Sequence, residues 1–142
     1  MRLLLFFMFF PTFTHAVDPL NGTSWKTIDD KINKPTAIIQ FKEEKNGSLS
    51  ATIQKILVSG EEDKCKSCEG EYRNKSLIGM VFLTKLKRVK NNEYDGGKII
   101  DPDTGKYYNF SVKIDNTGRK LTGRAYIGVS LVGRNQTWYR FD

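Results

Sequence analysis

The strongest constraint in this 142-residue chain is a period of two in its apolar residues. Ala37, Ile39 and Phe41 alternate with Thr36, Ile38, Gln40 and Lys42. Leu49, Ala51 and Ile53 alternate with Ser50, Thr52 and Gln54. Tyr108, Phe110, Val112 and Ile114 alternate with Tyr107, Asn109, Ser111 and Lys113. Such alternation puts one set of side chains on each face of a pleated strand and leaves a helix without an apolar stripe. Composition agrees. From Val17 onward there are 27 β-branched residues (eleven Ile, seven Val, nine Thr) against three Ala, and β-branched side chains lose less freedom in a sheet than in a helix.

Turn signals divide the chain into eight strands. The expected strands are Thr23 to Ile28, Thr36 to Lys42, Leu49 to Leu57, Leu77 to Leu86, Tyr94 to Ile100, Lys106 to Ile114, Lys120 to Ile127 and Asn135 to Phe141. Asn46-Gly47 suits a hairpin turn that needs positive φ. Asp101-Pro102-Asp103-Thr104-Gly105 combines a φ preset by Pro with an open position for Gly. Only one connection is long, the polar loop Val58 to Ser76. Short connections join neighbouring strands up and down, so an all-β, single eight-stranded antiparallel barrel is expected in preference to a two-sheet sandwich. Gly79, Gly97, Gly123 and Gly128 fall in or beside strands, where glycine marks a bend or a close approach.

The first sixteen residues do not belong to this pattern. Arg2 is followed by the apolar run Leu3 to Phe10, then Pro11, and Thr14-His15-Ala16 supplies the small residues of a signal-peptidase site. Residues 1–16 are therefore expected to be a signal peptide cleaved before Val17, with 17–142 as the domain. The run is too short for a transmembrane anchor, which needs about 20 apolar residues. The only His, His15, lies in this leader. Without it the chain has no imidazole for a Ser-His or Cys-His nucleophile or for a His-ligated metal. Asp101 and Asp103 are accounted for by their turn, and no carboxylate pair has a spacing that demands acid–base work. An enzyme, a metal site and a cofactor are not expected.

Three groups of residues remain. Cys65 and Cys68 are the only thiols, and an even pair in an oxidising compartment predicts a structural disulfide. Trp25, Tyr108, Tyr126, Trp138 and Arg140 could line a ligand cavity, with the Arg paired to an acidic head group. They could equally fill the barrel, with Trp25 packed on Arg140 at its base. Trp138 and Arg140 share parity, whereas the sequence leaves open which of Arg124, Arg134 and Arg140 points inward. Lys85, Lys87, Arg88 and Lys90 form a basic patch that could meet a polyanion or an acidic protein. It lacks the interleaved aromatics of a nucleic-acid surface.

Several segments resemble a known family. They are Gly22-x-x-Trp25, Cys65-x-x-Cys68-x-Gly70, Gly97-Lys98-Ile99-Ile100-Asp101-Pro102-Asp103-Thr104-Gly105-Lys106-x-Tyr108, and Gly133-Arg134-Asn135-Gln136-Thr137-Trp138-Tyr139-Arg140. Together they resemble a bacterial family of small secreted proteins, catalogued as a domain of unknown function, whose fold is similar to the lipocalin-like (calycin) barrels. The start is one residue longer than the lipocalin Gly-x-Trp spacing. The resemblance implies a periplasmic or exported protein and carries over no catalytic residues. The resulting expectation is an exported, monomeric or weakly dimeric lipocalin-like barrel that binds a small hydrophobic or amphipathic molecule. The alternative is an envelope interaction module that uses its basic outer face.

Overall fold

The structure, a computed structural model, describes residues 4–11, 16–58, 64–129 and 131–142. Eight antiparallel strands close into a barrel: β1 (Ser24–Asp29), β2 (Lys34–Glu43), β3 (Leu49–Ile56), β4 (Val81–Lys90), β5 (Glu93–Ile100), β6 (Tyr107–Ile114), β7 (Lys120–Tyr126) and β8 (Gly133–Phe141). Each strand pairs with the next, and β8 returns to β1 through Trp25 opposite Arg140 and Thr27 opposite Trp138. Closure leaves no strand edge open to another chain. The only helical element among the described residues is a 3-10 turn at Gly70–Tyr72. The up-and-down barrel expected from the short connections is the architecture observed.

Alternation is what fills the interior. Leu49, Ala51 and Ile53 of β3, Phe110 and Val112 of β6, and Leu121 of β7 are all buried, whereas Lys113 and Lys120 on the opposite faces are exposed. At mid-height Trp138 lies stacked on Phe110 with ring centroids 5.5 Å apart, and Phe41 and Phe82 flank it at 6.2 Å each. Gly123 gives the Phe110 ring its place, because a Cβ at that position would overlap the ring.

β4 departs from expectation by four residues at each end. Leu77 to Met80, read as strand, is instead a turn in which Gly79 takes φ +87° and Met80 donates its N–H to the Leu77 carbonyl at 3.1 Å. Leu77 and Met80 are apolar because both are buried in the core, in a turn tied to β3 by hydrogen bonds between Gly79 N–H and the Ile53 carbonyl (2.8 Å) and between Ile53 N–H and the Met80 carbonyl (3.0 Å). Lys87 to Lys90, read as a basic turn, continues the strand, and the chain reverses within Asn91-Asn92. β4 also carries a bulge. Leu49 pairs with Leu86 and Ala51 with Leu83, so three steps on β4 match two on β3. Both leucines therefore point inward despite their odd spacing.

The two ends of the barrel close differently. At the base, residues 18–23 fold beneath the strands. Gly22 donates to the Phe41 carbonyl (2.8 Å), Leu20 is buried, and the Tyr94 hydroxyl donates to Asp18 Oδ1 (2.9 Å). Burial, and then the Asp18 carboxylate, push the Tyr94 hydroxyl well above its ordinary pKa, so it stays a hydrogen-bond donor. At the opposite end, the mouth, Cys65 and Cys68 form the expected disulfide with 5.4 Å between Cα atoms. Both are buried, and Cys65 exchanges backbone hydrogen bonds with Asn74 and Lys75 at 2.9 Å each. The turn at Asp101–Gly105 packs so closely on this loop that a Cβ on Gly105 would collide with the Ser67 carbonyl.

Two measurements test these contacts. Gly123→Ala should displace Phe110 from Trp138 and lower stability by about 1–3 kcal/mol in urea unfolding, as overpacking does. Replacing Cys65 and Cys68 by Ser should cost about 2 kcal/mol on the loop-entropy estimate for so short a ring. Amide exchange should speed up at Lys75 and Gly105, and the barrel strands should keep their protection.

Candidate functional site

β8 supplies the residues that run from one end of the barrel to the other. Side chains alternate along a strand, so Arg134, Gln136, Trp138 and Arg140 face the same way. Arg140 is nearest the base. Its guanidinium carbon lies 5.8 Å from the centroid of the Trp25 ring, and Trp25 is fully buried. Trp25 Nε1 donates to Thr23 Oγ1 (2.8 Å), and that hydroxyl donates to the Leu20 carbonyl (2.7 Å). Trp25 and Arg140 thus close the base by a cation–π contact, one of the two readings their sequence positions allowed. They stand at the end away from the loops.

Trp138 is 1% exposed and wedged among three Phe rings, so it forms a floor across the barrel. Its Nε1 donates upward to Gln136 Oε1 at 3.3 Å. Above that floor Ile53 and Ile99 stay buried, while the β1, β6, β7 and β8 side is less covered. Tyr108, Ala125 and Gln136 face inward by register and are only half-buried, as is Thr27 on β1. Thr27 Oγ1 and Thr36 Oγ1 share a hydrogen bond of 2.7 Å. At the rim Arg134 makes a two-pronged ion pair with Asp30, one prong of 2.8 Å from Nε to Oδ2 and the other from Nη2 to Oδ1. This pair ties the start of β8 to the turn after β1. The Arg134 guanidinium holds the Asp30 carboxyl below its ordinary pKa. Partial burial, then the carboxylates of Asp101 and Asp29, push the Asp103 carboxyl upward.

The structure does not bring the five aromatic and Arg candidates into one place. Tyr108 belongs to the mouth half, Trp138 to the aromatic layer beneath it, and Trp25 and Arg140 to the base. Tyr126 needs a correction. It lies on the outer face, where its hydroxyl donates to Asp95 Oδ1 at 3.0 Å, because Leu121, Gly123 and Ala125 take the inward positions of β7. Of the three arginines whose direction was open, Arg124 is also outside, bonded to Asn135 Oδ1 (2.8 Å) and to the Leu131 carbonyl. Arg134 is at the mouth and Arg140 at the base. Three contributors were not expected: Asp30, Thr27 and Gln136. Parity with Trp138 was the available signal for Gln136. Asp30 had none, since its partner is 104 residues away.

The basic patch splits in two. Arg88 donates to Asn91 Oδ1 (2.8 Å), and Lys90 pairs with Glu93 (3.1 Å). Lys85 and Lys87 stay exposed beside the β2–β3 turn. Among the described residues no three His, Cys, Asp or Glu side chains are grouped to hold a metal, and no helix is long and apolar enough to cross a membrane. His15 lies outside the described residues.

Comparison with known proteins follows this geometry. No curated protein matches the chain. A solved structure described as "Protein HP1028 from the human pathogen Helicobacter pylori belongs to the lipocalin family" is similar over 89% of this chain and 85% of its own, at 27% identity and a TM-score of 0.75. The family model for "Uncharacterized protein conserved in bacteria (DUF2147)" matches residues 23–140, from the threonine that supports Trp25 to the arginine that covers it. A match spanning nearly the whole barrel shows that the chain belongs to this bacterial family, and its fold is the lipocalin-like barrel.

Proposed function

We propose that the protein is an exported binding protein, without catalytic activity, that takes one small hydrophobic or amphipathic molecule into the mouth half of its barrel. One observation carries this reading: above the Trp138 ring layer the inward residues Thr27, Tyr108, Ala125 and Gln136 of β1, β6, β7 and β8 are only half-buried and partly polar, while Ile53 and Ile99 on β3 and β5 stay buried and apolar. The ring faces of Tyr108 and Trp138 and the methyl of Ala125 offer apolar contact, while Gln136, Thr27 and Arg134 offer donors near the rim. A molecule with an apolar body and an acidic head matches that gradient, its head replacing or sharing Asp30 at Arg134. The aromatic packing below limits the ligand to the upper chamber.

Export is supported by two features. Leu4 to Phe10 are exposed and lie in no helix or strand, so the fold does not use them. The disulfide suits an oxidising compartment. In this reading residues 1–16 are removed before Val17 and the protein acts in the periplasm or outside the cell.

The test begins with gentle purification from the periplasm, native mass spectrometry and solvent extraction of any bound molecule. A fluorescent long-chain fatty acid then serves as probe. Saturable binding is expected, with energy transfer from Trp138. Tyr108→Ala and Gln136→Ala should each weaken it on the order of tenfold, about 1.4 kcal/mol. The outer-face substitution Tyr126→Phe should leave it unchanged. Absence of an extracted molecule together with absence of saturable probe binding would overturn the proposal.

A further inference from the structure

We infer that the outer face of the barrel carries a second, separate site for a phosphate group, formed where the β2–β3 turn meets the kinked β4–β5 hairpin. A shallow depression of about 430 Å³ is lined there by Asn46, Ser48, Lys85, Lys87 and Gly96. It lies toward the base, away from the chamber above Trp138.

The lining presents donors. Lys85 and Lys87 are exposed, and among the described residues neither ammonium has an ion-pair or hydrogen-bond partner. Asn46 Oδ1 accepts both the Ser48 N–H (3.0 Å) and the Ser48 hydroxyl (2.6 Å). Its carbonyl is therefore occupied, and the group it offers to the depression is the amide NH2. Each nearby carboxylate has one oxygen engaged by neutral donors. Asp95 stands opposite Lys87 in register, but its Oδ1 accepts from the Tyr126 hydroxyl (3.0 Å) and from the Gly96 N–H (2.8 Å). Glu44 Oε1 accepts from the Ser50 hydroxyl at 2.7 Å. Two ammonium groups without an ion-pair partner and an amide donor suit an anion that only accepts hydrogen bonds, with Lys85 and Lys87 outnumbering the single Asp95 carboxylate across the hairpin.

The backbone is shaped to build this arrangement. Lys85 has φ +62°, a left-handed conformation that a non-glycine side chain rarely adopts, and Gly96 across the hairpin has φ +74°. Turn chemistry would favour Gly or Asn at such a position. The β4 bulge at this point keeps Leu86 inward and sets Lys85 and Lys87 outward together. Bulges commonly re-aim a side chain in this way, and strain at a non-glycine residue is a signal of function. A phosphate ester fits the donor set, either as a free sugar or glycerol phosphate or as the head group of a lipid or lipopolysaccharide.

The experiment uses the exported protein and backbone amide NMR. Inorganic phosphate is titrated at constant ionic strength against chloride. Saturable shifts are expected at Ser48, Lys85 and Gly96. Lys85→Gly with Lys87→Ala should weaken phosphate binding on the order of tenfold, and Lys85→Gly alone should melt no lower than the parent because it relieves the φ. Lys113→Ala, on β6, should leave binding unchanged. Co-sedimentation with phosphatidylcholine vesicles, with and without phosphatidic acid, separates the sources. Retention on the acidic vesicles, competed by phosphate, assigns the head group. Phosphate binding without retention assigns the soluble ester. Shifts that do not saturate, that spread evenly over exposed lysines, or that persist in the double variant would overturn the site.

Discussion

Trp138 lying on Phe110 is the contact on which the remaining architecture depends. The two rings span the barrel at mid-height, and Phe110 can lie flat enough only because β7 carries no side chain at Gly123. The position of these rings fixes how far below the mouth the interior is solid. It also fixes the level at which Gln136 can receive the indole N–H. A larger residue at 123 or a smaller one at 138 would change the internal shape of the molecule without altering the strand order.

The ends of the barrel follow from what each has available. The base has short turns and an N-terminal segment, and it closes with one buried Leu, one indole under a guanidinium, and one tyrosine hydroxyl held by a carboxylate. The mouth has the long connection and the Asp-Pro-Asp-Thr-Gly turn, which brace each other around a disulfide. The base is a packed apolar seal, whereas the mouth is held by backbone contacts and an exposed ion pair. Loops at one end of a rigid scaffold are where binding residues are commonly carried.

The barrel could be read from the sequence because period-two patterning and turn residues are local signals. The inward set Ala37, Ile39 and Phe41, and the set Phe110 and Val112, needed no knowledge of partners. The start of β4 could not be placed, because Leu77 and Met80 are apolar for a reason outside their own strand. They are buried from a turn that is tied to β3 by tertiary hydrogen bonds. The candidate site was only partly legible. Alternation on β7 already put Ala125 inward, which should have placed Tyr126 outside. The pairing of Arg134 with Asp30 joins the two ends of the chain and leaves no trace in either segment. The separation of Lys85 and Lys87 from Arg88 and Lys90 depends on Asn91 and Glu93, partners that sequence proximity suggested but did not assign.

The segment beneath the base bears on the proposed cleavage before Val17. Asp18 donates its backbone N–H to Glu43 Oε2, and its side chain holds both the Leu20 N–H and the Tyr94 hydroxyl. In a chain that begins at Val17, an α-ammonium stands one residue from Asp18, whose own N–H reaches Glu43. In the precursor that position is an uncharged peptide bond. On the proposed cleavage before Val17, processing would therefore supply a counter-ion to the plug that seals the barrel, and trimming two further residues would remove the plug's only carboxylate. The first few residues of the processed protein would then act as a clasp for the fold.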